Sequence, residues 1–302
     1  MSIKIGVTVS GGETYTVGPF ENDIGDTVLH NGILDVLSGG KIVGTSVTGM
    51  VVVSAGGTAI ETDLNSGGEQ VVKGTAQSTT INSGGQEFVN AGGTSINTTI
   101  DAGGSQTVAA GGTTFVDTIN DGGVEFVAGT ALSTTINSGG QEFVNAGGTA
   151  SGTTINSGGE ELVSIDGKAL ATTINGGFME VESGALTTGM TVSFTMAGGD
   201  LQLDASQSFE GLVAGFASHG VTEEIDLRDI AFGAGTKETF TEASNHLSGT
   251  LTVTSGSETA HLTLLGQYST ANFTLSSDLH GGTLVTDPSS PVAGNPVLAA
   301  HT

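Results

Sequence analysis

A five-residue phrase running from Gly to Val recurs at a nearly fixed interval and restricts the fold more than any other feature of this chain. It reads Gly85-Gln86-Glu87-Phe88-Val89 and again Gly140-Gln141-Glu142-Phe143-Val144. In looser form the Gly stands at 32, 49, 68, 104, 123, 159 and 177, each time with Val four residues on. The spacing is 17 to 19 residues, and a second Gly series interleaves at 40, 57, 74, 93, 112, 129, 148, 167 and 184. The second Gly usually follows the first by eight residues, but by six at 68→74 and 123→129. Length changes confined to one turn are what stacked repeats tolerate.

The residues between the glycines favour strands. Thr79-Thr80-Ile81, Thr98-Thr99-Ile100, Thr134-Thr135-Ile136, Thr153-Thr154-Ile155 and Thr172-Thr173-Ile174 are β-branched runs, stiff at χ1 and suited to a pleated surface. Asn-Ser-Gly-Gly or Asn-Ala-Gly-Gly often follows, supplying residues that tolerate positive φ. No segment carries a 3.6-residue apolar period with helix caps. One repeat is too short to bury its own apolar face, so neighbours must stack. The expectation is an all-β parallel β-helix, a β-solenoid, of about nine 17–19-residue coils.

Three columns follow from that register. Val72, Val89, Val108, Val127, Val144 and Val163 should point inward. Asn82, Asn120, Asn137 and Asn156, with Asn65 and Asp101, should form an amide ladder along the axis, a stabilising device of stacked strands. Ala59, Ala76, Ser95, Thr114, Ala131, Ala150 and Ala169 form a column of small residues, as a narrow coil requires.

Composition limits the rest. The 51 glycines lack a three-residue period and accompany four prolines, which excludes collagen. Recurrent Val, Ile, Leu and Phe argue against disorder. With 31 acidic and six basic residues the formal charge is −25, so nucleic acid and anionic membranes should repel the chain. No apolar run reaches the ~20 residues of a membrane helix, and no membrane insertion is expected. There is no cysteine, hence no disulfide framework or thiolate metal site.

The ends read differently from the middle. Residues 1–27 alternate as strands and are expected to be an N-terminal β cap; the repeat domain spans 28–203. Residues 204–287 contain alternating runs such as Ile225 to Ile230 and Leu262 to Leu264, with a hairpin turn at Ser255-Gly256-Ser257-Glu258. They are expected to be a β-rich C-terminal domain, either an independent sandwich or a continuation of the stack. The Pro-containing tail, 288–302, is expected to be disordered. Met1 to Gly6 lacks the pattern of a cleaved leader.

Two side columns bear on function. Glu125, Glu142 and Glu161 occupy equivalent places on neighbouring coils, about 5 Å apart by strand spacing. Like charges at that distance call for a cation or raised pKa values, so a Ca²⁺-binding or acid-sensing stripe competes with solvated Glu at a turn corner. Next in sequence stand Phe88, Phe126 and Phe143. If Val is inward, alternation turns these rings outward into an apolar interface stripe and sends Glu inward. The alternative is an irregular turn that tucks the rings inside and leaves Glu in water.

The phrase Thr-Thr-Ile-Asn-Ser-Gly-Gly-Gln-Glu-Phe-Val-Asn-Ala-Gly-Gly-Thr at 79–94 and 134–149 resembles the repeats of AIDA-type autotransporter adhesin passengers, over about 30–190. The resemblance implies a secreted β-helix that mediates self-association and attachment, with heptose on Ser and Thr in some members. Ile225 to Ile230 and Asp278 to Asp287 resemble the ends of alphaproteobacterial type I-secreted repeat proteins. This implies export without a cleaved N-terminal signal.

No Gly-x-Ser-x-Gly, P-loop, dinucleotide fingerprint or His-Glu-x-x-His occurs. The expectation is a non-enzymatic extracellular or cell-surface adhesive solenoid, forming a homo-oligomer or polymer. Cell-surface glycans are candidate partners and Ca²⁺ is the one candidate cofactor. A subunit of a surface filament or layer is the first alternative. A glycan-binding or polysaccharide-cleaving β-helix, which would need clustered carboxylates on one face, is the second.

Overall fold

Alternating strands and tight corners build the molecule, and no α-helix occurs among the described residues. The computed structural model describes residues 2–216 and 222–287; the 288–302 tail lies outside them. The chain is a parallel β-solenoid of about 11 turns rather than about nine. The additional turns lie at the two ends of the regular repeat. By contacts it divides into two compact units, Met1–Thr153 and Thr154–Thr302.

In the first unit each coil contributes one strand to each of three parallel sheets. One complete coil is Thr75–Gln77 in the first sheet, Thr80–Ile81 in the second and Gln86–Val89 in the third. Its successor is Thr94–Ile96, Thr99–Ile100 and Ser105–Val108. Like residues pair with like: Ala76 with Ser95, Ile81 with Ile100, Val89 with Val108. Residues 1–27 join the same stack, since Thr14–Val17 pairs in parallel with Ile33–Val36, Val17 against Val36.

The interior follows from strand alternation. Val36, Val53, Val72, Val89, Val108, Val127 and Val144 are buried, as are Ile81, Ile100, Ile119 and Ile136 and the small column Ala59, Ala76, Ala131 and Ala150. A buried aliphatic side chain contributes about 1.5–3 kcal/mol, once per coil in each such column. The N-terminal end of this core is polar. Lys4 donates to the Tyr15 hydroxyl at 2.7 Å, and that hydroxyl donates to buried Asp23 at 2.7 Å.

The Gly-Gly pairs have two separate causes. Gly84 takes φ +74°, where an L side chain is strained. Gly85 is stacked so tightly on the coil below that a Cβ would stand 2.5 Å from the Leu64 carbonyl oxygen. The shorter repeats lose residues in a corner: Val72 is followed at once by Lys73-Gly74, where Val89 is followed by Asn90-Ala91-Gly92-Gly93.

In the second unit Glu160–Val163 pairs in parallel with Phe178–Val181, Val163 against Val181. The stack then continues past residue 204. Leu212–Ala214 pairs in parallel with Thr191–Phe194, and Glu223–Leu227 with Gly199–Leu203. Within this unit Leu212–Ala214 and Glu223–Leu227 therefore lie on the preceding strands in the same parallel sense. Antiparallel strands then close the sheets. Ser248–Ser255 and Glu258–Leu265 form a hairpin about Gly256, and Thr283–Thr286 turns back along Glu223–Leu227. Phe216 is fully buried between Phe194 and Phe273, with ring centroids 5.6 and 6.3 Å away. Such an aromatic cluster buries a large apolar area within this unit.

Candidate functional site: outward ladders and an inward carboxyl column

Alternation holds through the third sheet, and this decides where both side columns go. In the first unit Phe88, Thr107, Phe126 and Phe143 are in register on the outer face. Phe126 is 38% exposed, and its ring stacks on Phe143 at 5.3 Å with planes 17° apart. Val71 precedes Phe88 in the same column. The result is an apolar ridge broken once, by Thr107.

Glu87, Glu125 and Glu142 point inward and are buried, with Gln70 and Gln106 in the same column. Glu161 of the second unit is buried as well, and the Thr172 hydroxyl donates to it at 2.9 Å. The reading of Glu as a solvated turn residue is therefore corrected: these side chains lie inside the coils, because Val and Glu two apart on a strand share a face. Among the described residues no group of three acidic or histidine side chains is set to hold a metal ion. Glu125, Glu142 and Glu161, the residues expected for a Ca²⁺ stripe, are each buried.

The buried carboxyls differ in their partners. Glu87 accepts from Thr79 at 3.2 Å, Ser95 at 2.9 Å, Thr98 at 3.4 Å and the Gln106 amide at 2.6 Å. Glu125 accepts from Thr114 alone at 3.2 Å, and Glu142 from Thr153 at 3.1 Å. Asp117, at a corner facing the same interior, accepts the Thr98 backbone N–H at 3.0 Å. Burial raises the Glu87 pKa against the pull of its four donors. It pushes Asp117 up to about 8 and Glu142 up to about 7. It holds Glu125 well above the usual carboxylate range, with the charges of Asp117 and Glu142 adding to the effect. Asp117 has no counterpart in the side columns read from the sequence; the signal was an acid at the place where neighbouring repeats carry Thr98 and Thr134.

The amide column is a hydrogen-bonded ladder. Asn82 donates to Asn65 at 3.3 Å, Asn120 to Asp101 at 2.8 Å and Asn137 to Asn120 at 2.9 Å; in the second unit Asn175 donates to Asn156 at 2.8 Å.

Sequence reasoning missed a second outward face. On the first sheet Ile60, Gln77, Ile96, Phe115 and Leu132 stand in register beside Thr58, Thr75, Thr94, Thr113 and Thr130. On the second sheet Thr80, Thr99, Thr118 and Thr135 form another outward hydroxyl column. The signal was present as Thr-x-apolar flanking each inward small residue. Val116, at the adjoining corner, is 54% exposed with φ +61°, a conformation costly for a β-branched residue.

Comparison with solved structures places this architecture. The crystal structure of a TibC-catalysed hyper-glycosylated fragment of TibA, residues 55–350, matches with a TM-score of 0.57 at 30% identity, covering 70% of this chain and 84% of that one. The chain belongs to the TibA family. The matched fragment is hyper-glycosylated by TibC. No family model matches the chain, and no curated protein matches it by sequence.

Proposed function

We propose that this member of the TibA family is an extracellular, non-enzymatic adhesive solenoid whose outward ladders associate with further copies of itself. The outward Phe column carries this reading. Two stacked rings and their aliphatic neighbours form an apolar ridge on a chain of charge −25; monomers rarely expose such ridges. Burial against a second copy would offset the electrostatic repulsion between two such chains, more readily at high ionic strength.

The outward Thr columns supply a second component. TibA is hyper-glycosylated by TibC, and hydroxyls spaced by the strand separation, about 4.8 Å, offer acceptors along two sheets. We place sugar attachment, where it occurs, on Thr58, Thr75, Thr94, Thr113 and Thr130 and on Thr80, Thr99, Thr118 and Thr135. Polysaccharide cleavage is disfavoured, because the central coils' carboxyls face inward, where a glycan chain cannot reach them. Export by a C-terminal, type I-like route fits the resemblance of 278–287 and accompanies this reading.

The test is assembly of the purified chain, followed by sedimentation and negative-stain electron microscopy. Wild type is expected to form clumps or filaments with rising concentration and salt. A persistently monomeric wild type, or release of sugars from a polysaccharide panel, would overturn the proposal. Ordered filaments instead of clumps would mark a surface-filament subunit.

A further inference from the structure

We propose that the outward face of the first sheet, in the first unit, docks on the same face of a second copy turned about a two-fold axis through the coil of Gln77. The inference rests on the self-association reading above but assigns it to a face other than the Phe ridge. Two in-register columns make up this face, one from Ile3 to Thr149 and one from Ile5 to Ser151, with nine places each. Charge sets the face apart. Lys41 is the one charged residue in either column, and neither column holds any of the chain's 31 acids. Glu61 lies at the adjoining corner, outside both columns. By contrast, Asp63 stands in the outward column of the second sheet, and Asp35 and Glu69 in those of the third. Two chains of charge −25 repel least where both present a surface without acids.

The order of residues in the apolar column fits a two-fold axis. Gln77, exposed and polar, is the fifth of its nine places. An axis through it along the strand direction lays column on column in reverse order. Ile60 then meets Ile96 of the second copy, Val43 meets Phe115, and Ile24 meets Leu132. Gln77 meets Gln77, and each amide can donate to and accept from its equal. A slip of one coil would set each Gln77 against an isoleucine and leave its amide unpaired, which fixes the register. In the other column the same axis brings Thr75 opposite Thr75 and Lys41 opposite Thr113. The two Lys41 side chains are then four coils, roughly 19 Å, apart and do not repel closely.

Area limits the strength of this contact. Eight steps of about 4.8 Å along the axis, by a three-residue strand of about 10 Å, give roughly 400 Å² per copy. A stable complex buries about 800 Å² per partner. One such contact is therefore weak by itself and lasts only where many copies gather. Sugar on Thr58, Thr75, Thr94, Thr113 or Thr130 would stand between the two faces, so this docking belongs to the unmodified chain.

The test uses the full chain, free of sugar and carrying Phe126→Ser, so that the Phe ridge does not contribute. Thr75→Cys and Thr149→Cys each introduce a single thiol, since the chain has no cysteine. A short bismaleimide should join Thr75→Cys chains into dimers and leave Thr149→Cys chains monomeric, because two copies of residue 149 would stand roughly 38 Å apart. In sedimentation equilibrium, Ile96→Glu sets a carboxylate against Ile60 of the second copy and should raise the dimer dissociation constant about tenfold or more. Thr99→Glu adds the same charge on the second sheet and should change that constant by less than about twofold. The proposal is overturned if Thr75→Cys does not cross-link, if both thiols cross-link equally, or if the two Glu variants weaken the dimer alike. Assembly that vanishes entirely with Phe126→Ser would also overturn it and leave the Phe ridge standing. A dimer that survives Phe126→Ser, while the chain with Phe126 goes no further than dimer, would support this face and remove the ridge.

Discussion

Replacing Gly85 with Ala adds one methyl group to a buried place where the chain has no room for it. The added Cβ would stand 2.5 Å from the Leu64 carbonyl oxygen. That oxygen cannot easily retreat, because it accepts the Asn82 N–H at 2.9 Å, while the Gly85 N–H is itself committed to Asn82 at 2.8 Å. Overpacking of this kind costs about 1–3 kcal/mol, and weakening one inter-coil hydrogen bond adds about 1 kcal/mol. Reduced freedom of the unfolded chain returns about 0.4–1 kcal/mol. The expected net loss is about 2–3 kcal/mol.

Gly92→Ala is the matched control. It has φ +81° and nothing within 4 Å of its Cβ position, so it bears only the left-handed penalty of about 1–2 kcal/mol, less the same unfolded-state term. Urea unfolding followed by circular dichroism should therefore place Gly85→Ala about 2 kcal/mol below Gly92→Ala. If the two variants unfold together, or Gly92→Ala is the weaker, close stacking is not what selects the second glycine of each pair.

Three further outcomes are expected. Val116→Asn should stabilise the fold by about 0.5–1 kcal/mol, since Asn tolerates the φ of +61° and already serves the equivalent corner as Asn97; a lower thermal midpoint would refute the strain argument. Phe126→Ser should leave the thermal midpoint nearly unchanged but shift sedimentation toward monomer, because it removes half of the Phe126–Phe143 stack from an outer face. Asn120→Ala should cost about 1–2 kcal/mol in urea unfolding, as it deletes a donor to Asp101 and an acceptor for Asn137; a cost near zero would mean that water replaces the ladder.

The inward Val column, the small-residue column and the amide ladder were all legible from spacing, because a residue stacked on its own kind leaves the same mark in every repeat. The Thr-Thr-Ile runs likewise announced strands, and the hairpin about Gly256 announced itself by its turn residues. Less was legible where the period breaks. At 204–287 the strands could be read but not their partners, since pairing Leu212–Ala214 on Thr191–Phe194 depends on contacts that no local pattern encodes.

The side columns mark the division most clearly. Periodicity established that Glu and Phe at successive positions must face opposite ways, and left open which one faces water. A carboxylate inside is costly, so the cheaper expectation was Glu outside. The tertiary structure decided otherwise, because Val89 and Val144 cannot be buried on a regular strand without carrying Glu87 and Glu142 in with them. Hydroxyls of Thr79, Ser95 and Thr98 then make that burial tolerable at Glu87. Periodicity determined the strand and its register, which are properties of one repeat. Only stacking decided the chemistry of the interior, since the partners of each buried acid come from other strands and neighbouring coils.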